Sequence, residues 1–279
     1  MASTPSIRRS SGAARKDVLF RAFLLSFLML FMACVLTLVI ADIRYVGARD
    51  WVSAFTTGRH EVWFAVRLSL VTSTVALVAA FIVGLPSAYA LSRFRLPFAT
   101  VIDTIIDLPI VIPPPVVGLS LLVVFAKTGL DRWLERTFGH GIMYQPWSIP
   151  LAQFMVAAAF CIRALKAAFD SINPRLEHVA RTLGCSSWQA FVRVSLPLAR
   201  TGLIAGAVMT WARAIAEFGP ILFFSGATPM KTEVLPISMF LNFSAGNIER
   251  AVLLAVLMLA IATATLITFK KLGGKGYLW

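Results

Sequence analysis

The chain has 279 residues, of which 58% are hydrophobic and 14% are charged, a balance that excludes an ordinary soluble domain. Its formal net charge is +13, but the basic residues are spread between apolar runs, which favours anionic lipid head groups as partners and argues against nucleic acid. Cys34, Cys161 and Cys185 have no spacing typical of a metal site or a disulfide. The sequence therefore predicts an all-α membrane protein with several spans.

The N-terminal part of the chain divides into a tail and a first span. Residues 1–17 are small, polar and basic, and we expect a flexible tail on the cytoplasmic side. Residues 22–41 form an uncharged run of about 20 residues, enough to cross a hydrocarbon core of roughly 30 Å. Because this run is longer than the apolar part of a signal peptide, we expect it to remain as a membrane span.

Further apolar runs predict five more spans, at residues 64–91, 101–126, 147–165, 201–224 and 251–269. Lysine and arginine are denser in the tail, at 93–95, at 163–200 and near the C-terminus than in the other loops. By the positive-inside rule these segments are cytoplasmic, so both termini should lie inside the cell. No linker divides the chain, and residues 18–279 are predicted to form one six-span domain.

The third predicted span contains three successive prolines, Pro113, Pro114 and Pro115. Each removes a backbone donor and costs about 3 kcal/mol or more in a helix interior. Broken backbone at membrane depth persists only where it is buried in protein or lines a wet cavity. This span is therefore predicted to lie centrally beside a pathway; the alternative is a kinked helix that only shapes packing.

Two carboxylates, Asp103 and Asp107, lie one helical turn apart near the predicted cytoplasmic end of this span. Carboxylates in this position pair with interfacial arginines more often than they contact a substrate. The sequence therefore predicts an ion pair with an arginine such as Arg95.

A polar and basic segment at residues 170–197 interrupts the apolar chain. Asn173 followed by Pro174 is typical of a helix start, and Gly184 can adopt the left-handed conformation that ends a helix. The apolar residues between them recur on one helix face, and they are Leu176, Val179, Ala180 and Leu183. The segment is thus predicted to begin with a short amphipathic helix.

A second short helix is predicted directly after this turn. Ser186 and Gln189 have the spacing of a capping box. The apolar residues of the second helix are Trp188, Phe191 and Val192. The simplest interpretation of the two helices is an amphipathic loop that lies on the cytoplasmic face of the bilayer.

The same segment resembles the coupling loop of ABC-importer permeases, written E-A-A, three residues, G, nine residues, I-x-L-P. His178, Val179 and Ala180 stand at the E-A-A positions, and a glutamate, Glu177, stands one residue early, a variant found in the molybdate and tungstate branch. In that family the loop docks in a groove of a separate ATPase subunit. The resemblance implies ATPase coupling through Glu177, His178, Val179, Ala180, Gly184, Val194, Leu196 and Pro197.

The fifth predicted span contains small residues and charges. Gly202 and Gly206, four residues apart, allow another helix to approach closely. Arg213 and Glu217 are also four residues apart, in an apolar run where a single charge costs roughly 2.5 to 3.5 kcal/mol on insertion scales. We expect them to neutralise each other. The pair either only positions the helix or also contacts a transported substrate.

Two further segments resemble oxyanion permeases of the same superfamily. The segment LPIVIPPPVVG at residues 108–118 is similar to the third-span pattern of molybdate and sulfate permeases. The segment WARAIAEFG at residues 211–219 is similar to their W/F-A-R-A-x-x-E-F-G motif, with a helix break implied at Gly219-Pro220. The resemblance implies a translocation path or gate that includes Pro113, Pro114, Pro115, Gly118, Thr210, Arg213, Glu217 and Gly219.

The resemblance extends from the second to the sixth span. It implies a MetI-like fold of six transmembrane helices with a cytoplasmic coupling helix, in an inner-membrane protein. The partners implied are cytoplasmic ABC ATPase subunits, an extracytoplasmic substrate-binding protein, a second permease copy in a homodimer, and membrane lipids. The cargo implied is a tetrahedral oxyanion, molybdate or tungstate first and sulfate or thiosulfate as the alternative.

Two other classes of membrane protein have weaker support in the sequence. An ion-coupled carrier needs acidic residues or histidines at mid-membrane, and only Glu217 qualifies. An enzyme needs a nucleophile with a base or a metal cluster, and the sequence has neither H-E-x-x-H nor G-x-S-x-G. It also has no G-x-x-x-x-G-K-[ST] loop. We therefore expect no catalytic residue, metal or cofactor in this chain, with ATP and Mg bound by the partner ATPase.

Overall fold

The computed structural model describes residues 11–47, 52 and 58–272, with side chains at 18–47, 52 and 58–268. The described residues form helices and connecting loops, with no strand among them. The helices are, in chain order, α1 (Ser11–Tyr45), α2 (Arg59–Arg93), α3 (Ala99–Val111), α4 (Pro114–Lys127), α5 (Leu130–Phe138), α6 (Ser148–Asp170), α7 (Arg175–Thr182), α8 (Ser187–Ala190), a π-helix (Phe191–Ser195), α9 (Leu196–Ile215), α10 (Gly219–Phe224), α11 (Leu235–Ser244) and α12 (Ile248–Leu272).

Five helical segments are long and apolar enough to cross a membrane: α1, α2, α6, the continuous helix from α8 through α9, and α12. The sixth crossing is the pair α3 and α4, counted as one broken span. The all-α fold class is thus confirmed for the described residues, and the six predicted spans correspond to these five helices and the broken pair. α1 begins at Ser11, inside the predicted flexible tail, because Ala13 to Lys16 are strong helix formers that extend the apolar run. Residues 1–10 of that tail lie outside the described residues.

The third span is broken rather than kinked. α3 and α4 meet at an angle of 107°. The backbone is extended at Ile112 and Pro113, and the next two prolines occupy the first turn of α4, where a missing N–H costs no helical hydrogen bond. Three successive prolines therefore end one helix and begin another, which supports the prediction of a true break at this position.

The fifth span also ends earlier than its apolar run predicts. α9 ends at Ile215, and the short α10 begins at Gly219, so residues 201–224 do not form one helix. Pro220 explains the break, because its ring would clash with the carbonyl of Ala216 in a continuous helix. The predicted break at Gly219-Pro220 thus lies a few residues earlier, with those two residues in the first turn of α10.

One helix in the predicted outer loop was missed. α11 (Leu235–Ser244) buries its first four residues, although it is too short to cross the membrane. Its first backbone N–H, at Leu235, donates to the Ser69 hydroxyl of α2 at 2.7 Å. A ten-residue apolar helix gives a weak signal in hydropathy, and its start depends on a side chain from another helix.

The core of the bundle is α6, which packs against α2 and α9. The predicted close approach at Gly202 and Gly206 is confirmed, because a Cβ atom at Gly202 would lie 2.5 Å from the Cβ of Ala168 on α6. By contrast, α1 contacts the bundle mainly through α12, and none of its most apolar stretch is buried. The helices α2, α6 and α9 therefore lie inside the bundle, whereas α1 lies outside it and α3, the first half of the broken span, buries no residue.

Candidate functional site

The polar segment folds into a hairpin, as predicted, but its second helix is not a separate short one, because it continues into α9 as one helix, Ser187–Ile215. We call residues 173–195 the polar hairpin: α7, a turn at Gly184, α8 and the π-helix. The backbone N–H of Arg175 donates to Asn173 Oδ1 at 3.0 Å, and Gly184 has a φ of 94°. The Ser186 and Gln189 capping box is present in both directions. The helix start, the turn and the capping box each depend on a few neighbouring residues, so the sequence alone was sufficient to predict their positions.

The glutamate of the polar hairpin points into the protein. Glu177 is 8% exposed, and its carboxylate accepts hydrogen bonds from Arg93 Nε at 2.7 Å, Ser195 Oγ at 2.7 Å and the Tyr89 hydroxyl at 2.9 Å. Burial raises the pKa of the Glu177 carboxyl, but the bonds from Ser195, Arg93 and Tyr89 outweigh burial and hold the pKa below its ordinary value. Glu177 therefore fastens α7 to α2 and to the π-helix.

This cluster was not predicted in full. Tyr89 and Arg93 lie near the end of the second predicted span, and Ser195 lies in the π-helix, where an extra residue per turn widens the helix that becomes α9. Such a turn has no reliable sequence signal. The arginine at the membrane edge was the available clue, since a charge held there is expected to have a partner.

The opposite side of the polar hairpin leaves several large apolar side chains uncovered, beside exposed arginines. Leu183 is 81% exposed and Trp188 71% exposed, and Leu176 and Val179 are also exposed. Of the other predicted coupling residues, His178, Gly184 and Pro197 are exposed, whereas Ala180, Val194 and Leu196 are half-buried. The helix thus exposes its apolar side and buries its glutamate, which is the reverse of an isolated surface helix and marks an interaction face.

The proline-rich segment at residues 108–118 and the segment at residues 211–219 pack directly against each other, together with Pro220. A Cβ atom at Gly118 of α4 would lie 2.6 Å from the Cα of Pro220, and one at Gly219 of α10 would lie 2.8 Å from the ring of Pro115. Only glycine allows these two backbones to approach so closely. The structure therefore brings together two predicted path segments that are about one hundred residues apart in the sequence.

The charged pair of the fifth span forms an ion pair, as predicted. Arg213 Nη1 lies 2.8 Å from Glu217 Oε1, although the geometry is not aligned for a hydrogen bond. The Glu217 side chain is 1% exposed, whereas that of Arg213 is 30% exposed and lies 5.5 Å from the ring centre of Phe160. Thr210 is buried and donates to the Gly206 carbonyl of its own helix. Arg213 is therefore the member of this group that remains accessible.

The predicted partner of Asp103 and Asp107 was wrong. Both carboxylates pair with Arg163 of α6, at 2.7 Å and 2.6 Å, and not with Arg95. Since α3 buries no residue of its own, this arginine is its principal polar link to the bundle. An arginine inside a predicted apolar span needs a nearby carboxylate, and that requirement was the signal that could have identified the pair.

Known proteins match this chain over most of its length. The family described as binding-protein-dependent transport system inner membrane component matches residues 76–272. The molybdate/tungstate transport system permease protein WtpB of Thermococcus kodakarensis is 36% identical over 76% of this chain and 78% of its own length. The molybdenum transport system permease protein ModB of Escherichia coli K12 is 32% identical, over 74% and 90%. The sulfate transport system permease protein CysT of the same organism is 30% identical, over 76% of each chain.

Solved structures show the same fold at lower identity. A chain of a bacterial alginate ABC transporter, in complex with an alginate-bound periplasmic protein, matches with a TM-score of 0.73 at 20% identity, over 96% of this chain and 98% of its own. A chain of the MetNI methionine ABC transporter, in an inward-facing conformation, matches with a TM-score of 0.60 at 18% identity, over 78% and 97%. This protein has the MetI-like permease fold, and it belongs to the family of binding-protein-dependent transport system inner membrane components.

Proposed function

We propose that this chain is the oxyanion-conducting permease subunit of an ATP-driven importer, with molybdate or tungstate as its cargo. The observation that carries the cargo assignment is the similarity, at 32 to 36% identity over about three quarters of the chain, to permeases named for molybdate, tungstate or molybdenum. A sulfate importer is the second candidate, because a sulfate permease matches at 30% identity over the same share.

The polar hairpin is the proposed docking element for the ATPase. Its apolar face is exposed, and its other face is fastened to the bundle by the buried Glu177 carboxylate. A rigidly held element with an uncovered apolar face is suited to insertion into the groove of a partner. In this proposal the partner binds ATP and Mg, and this chain holds no cofactor of its own.

The contacts of Glu177 suggest a route for the motion. A shift of the polar hairpin would be passed through Arg93 to α2 and through Ser195 to the π-helix and α9. α9 leads to the helix break before Gly219, where α10 crosses α4. We propose that ATP binding brings the hairpins of the two permease copies together and opens the path toward the outside at this crossing. ATP hydrolysis then returns the permease to its starting state.

The accessible Arg213 is the proposed anion contact in the path. Its guanidinium lies 2.8 Å from a carboxylate, and a tetrahedral dianion also offers negatively charged oxygens that can accept from a guanidinium. The complete importer would contain a second copy of this chain, two cytoplasmic ATPase subunits and an external substrate-binding protein. The chain would lie in the inner membrane, with both termini and the polar hairpin on the cytoplasmic side.

Competitive uptake tests the cargo. Proteoliposomes would contain this chain with its ATPase, ATP inside, and the binding protein outside, and labelled tungstate, molybdate and sulfate would be compared. We expect uptake of molybdate or tungstate that excess sulfate does not suppress. Uptake of sulfate that molybdate and tungstate fail to suppress would replace the proposed cargo with the second candidate.

A further inference from the structure

The charges of the polar hairpin are distributed unequally between its two faces. Residues 171–197 carry four formal charges, at Arg175, Glu177, Arg181 and Arg193. The three arginines are exposed, and in the described part of the chain none of them forms an ion pair. Glu177 is buried and neutralised by Arg93. The exposed face therefore carries only positive formal charge.

The position of the glutamate in the sequence produces this distribution. One residue along an α-helix corresponds to a rotation of roughly 100° about its axis. Glu177, one position before His178, is thereby turned from the exposed side of α7 to the side that faces α2. The exposed position is occupied by His178, which leaves the interaction face without a carboxylate.

A cavity on the polar hairpin has a lining that suits an acidic group. It has a volume of about 590 Å³ and is open to the surface. Its lining residues are His178, Arg181, Thr182, Cys185, Ser186 and Ser187. This lining offers a guanidinium and several hydroxyl groups and contains no carboxylate, so a carboxylate from a partner is the side chain that it accommodates best.

The length of the helix that ends in the polar hairpin favours a protein partner over the membrane surface. The continuous helix Ser187–Ile215 has 29 residues, which corresponds to roughly 43 Å. A hydrocarbon core of roughly 30 Å accommodates only part of this length. Because the other end of the helix is a break that packs inside the bundle, the hairpin extends roughly 10 Å or more beyond the hydrocarbon, into water.

We infer that the polar hairpin docks in a groove with an apolar floor and an acidic rim on the partner ATPase. The inference rests on the proposed ATPase coupling and adds the chemistry of the partner. Leu176, Val179, Leu183 and Trp188 contact the floor. Arg175, Arg181 and Arg193 pair with carboxylates on the rim, and one carboxylate enters the cavity beside Arg181.

The test is the affinity of the full chain in lipid nanodiscs for its ATPase, measured between 50 and 500 mM KCl, a range over which the Debye length falls roughly threefold. For the wild type we expect the Kd to rise about tenfold or more with salt. Arg181→Gln and Arg175→Glu should each raise the low-salt Kd about tenfold, and the salt dependence should decrease. The matched control is Arg136→Glu on α5, an exposed arginine outside the hairpin, which should leave the Kd unchanged.

The outcomes separate this inference from the function on which it rests. Docking that is insensitive to salt and to both hairpin substitutions would overturn the acidic groove and leave ATPase coupling intact. Failure of the wild type to bind the ATPase at low salt would overturn both. Protection of the hairpin from hydrogen exchange by anionic lipid alone, with docking unaffected by Arg181→Gln, would identify the membrane as its partner and also overturn the inference.

Discussion

The turn of the polar hairpin allows a substitution that changes backbone energy without changing contacts. Gly184 has a φ of 94°, and no atom lies within 4 Å of the position that a Cβ would occupy. A Cβ atom at residue 184 therefore meets no neighbouring element, and the effect of Gly184→Val comes mainly from placing a β-branched residue in the left-handed region. This strain is about 2 kcal/mol, which corresponds to roughly a 30-fold shift between the native turn and relaxed alternatives.

The relaxed turn should separate ATP hydrolysis from transport. If the hairpin transmits motion between the ATPase and α9, a displaced turn should lower substrate-stimulated uptake about tenfold or more while some ATP hydrolysis continues. The assay is uptake and phosphate release measured on the same proteoliposomes. Gly184→Asn should retain most of the coupling, because asparagine tolerates the left-handed region better than valine does.

A matched glycine controls for general destabilisation. Gly246, between α11 and α12, has a φ of 81° and also has no atom within 4 Å of its Cβ position. Gly246→Val therefore introduces a similar strain far from the hairpin in the sequence, and it should lower thermal stability without separating hydrolysis from uptake. Normal substrate-stimulated uptake in Gly184→Val, in protein that inserts and dimerises normally, would refute the coupling role of this turn.

Three further predictions concern other contacts. Gly118→Ala should reduce uptake strongly while ATPase docking persists, because its Cβ would lie 2.6 Å from the backbone of Pro220; uptake and ATPase affinity check this. The lowered pKa of Glu177 means that its stabilising contribution is present at neutral pH, declines below about pH 4.3 and is lost as the pH falls through the lowered value. The protection of the α7 amides from hydrogen exchange, relative to the intrinsic exchange rate at each pH, should therefore fall in acid, and in Glu177→Gln this protection should be low at both pH values. Arg163→Gln should leave Asp103 without its partner and release α3, which spin labels on α3 and α6 would report as a broadened distance distribution.

Local signals explain why the polar hairpin was predictable. A capping residue, a left-handed glycine and a capping box each depend on a few neighbouring residues, and Asn173, Gly184 and Ser186 are found in those roles. Membrane spans are equally accessible, because hydropathy over about 20 residues determines them. The glycines of α9 also have the predicted function, since a small residue in a span is used for close packing.

Features that depend on tertiary contacts were not predictable to the same degree. The prolines indicate a break, but the angle of 107° depends on how α4 packs against Gly219 and Pro220. The partner of Asp103 comes from α6, about 60 residues away, so sequence proximity suggested the wrong arginine. The orientation of Glu177 requires Tyr89, Arg93 and Ser195 to converge from two other elements, which no single stretch of sequence reveals.

The central claim is that this chain conducts its substrate only when an ATPase acts on it. The most direct measurement is tungstate uptake into proteoliposomes prepared with and without the ATPase subunit, each under ATP and under an imposed proton or sodium gradient. We predict uptake only when the ATPase, ATP and the binding protein are all present. Uptake that continues without the ATPase and follows the ion gradient would contradict the account and would identify the chain as an ion-coupled carrier.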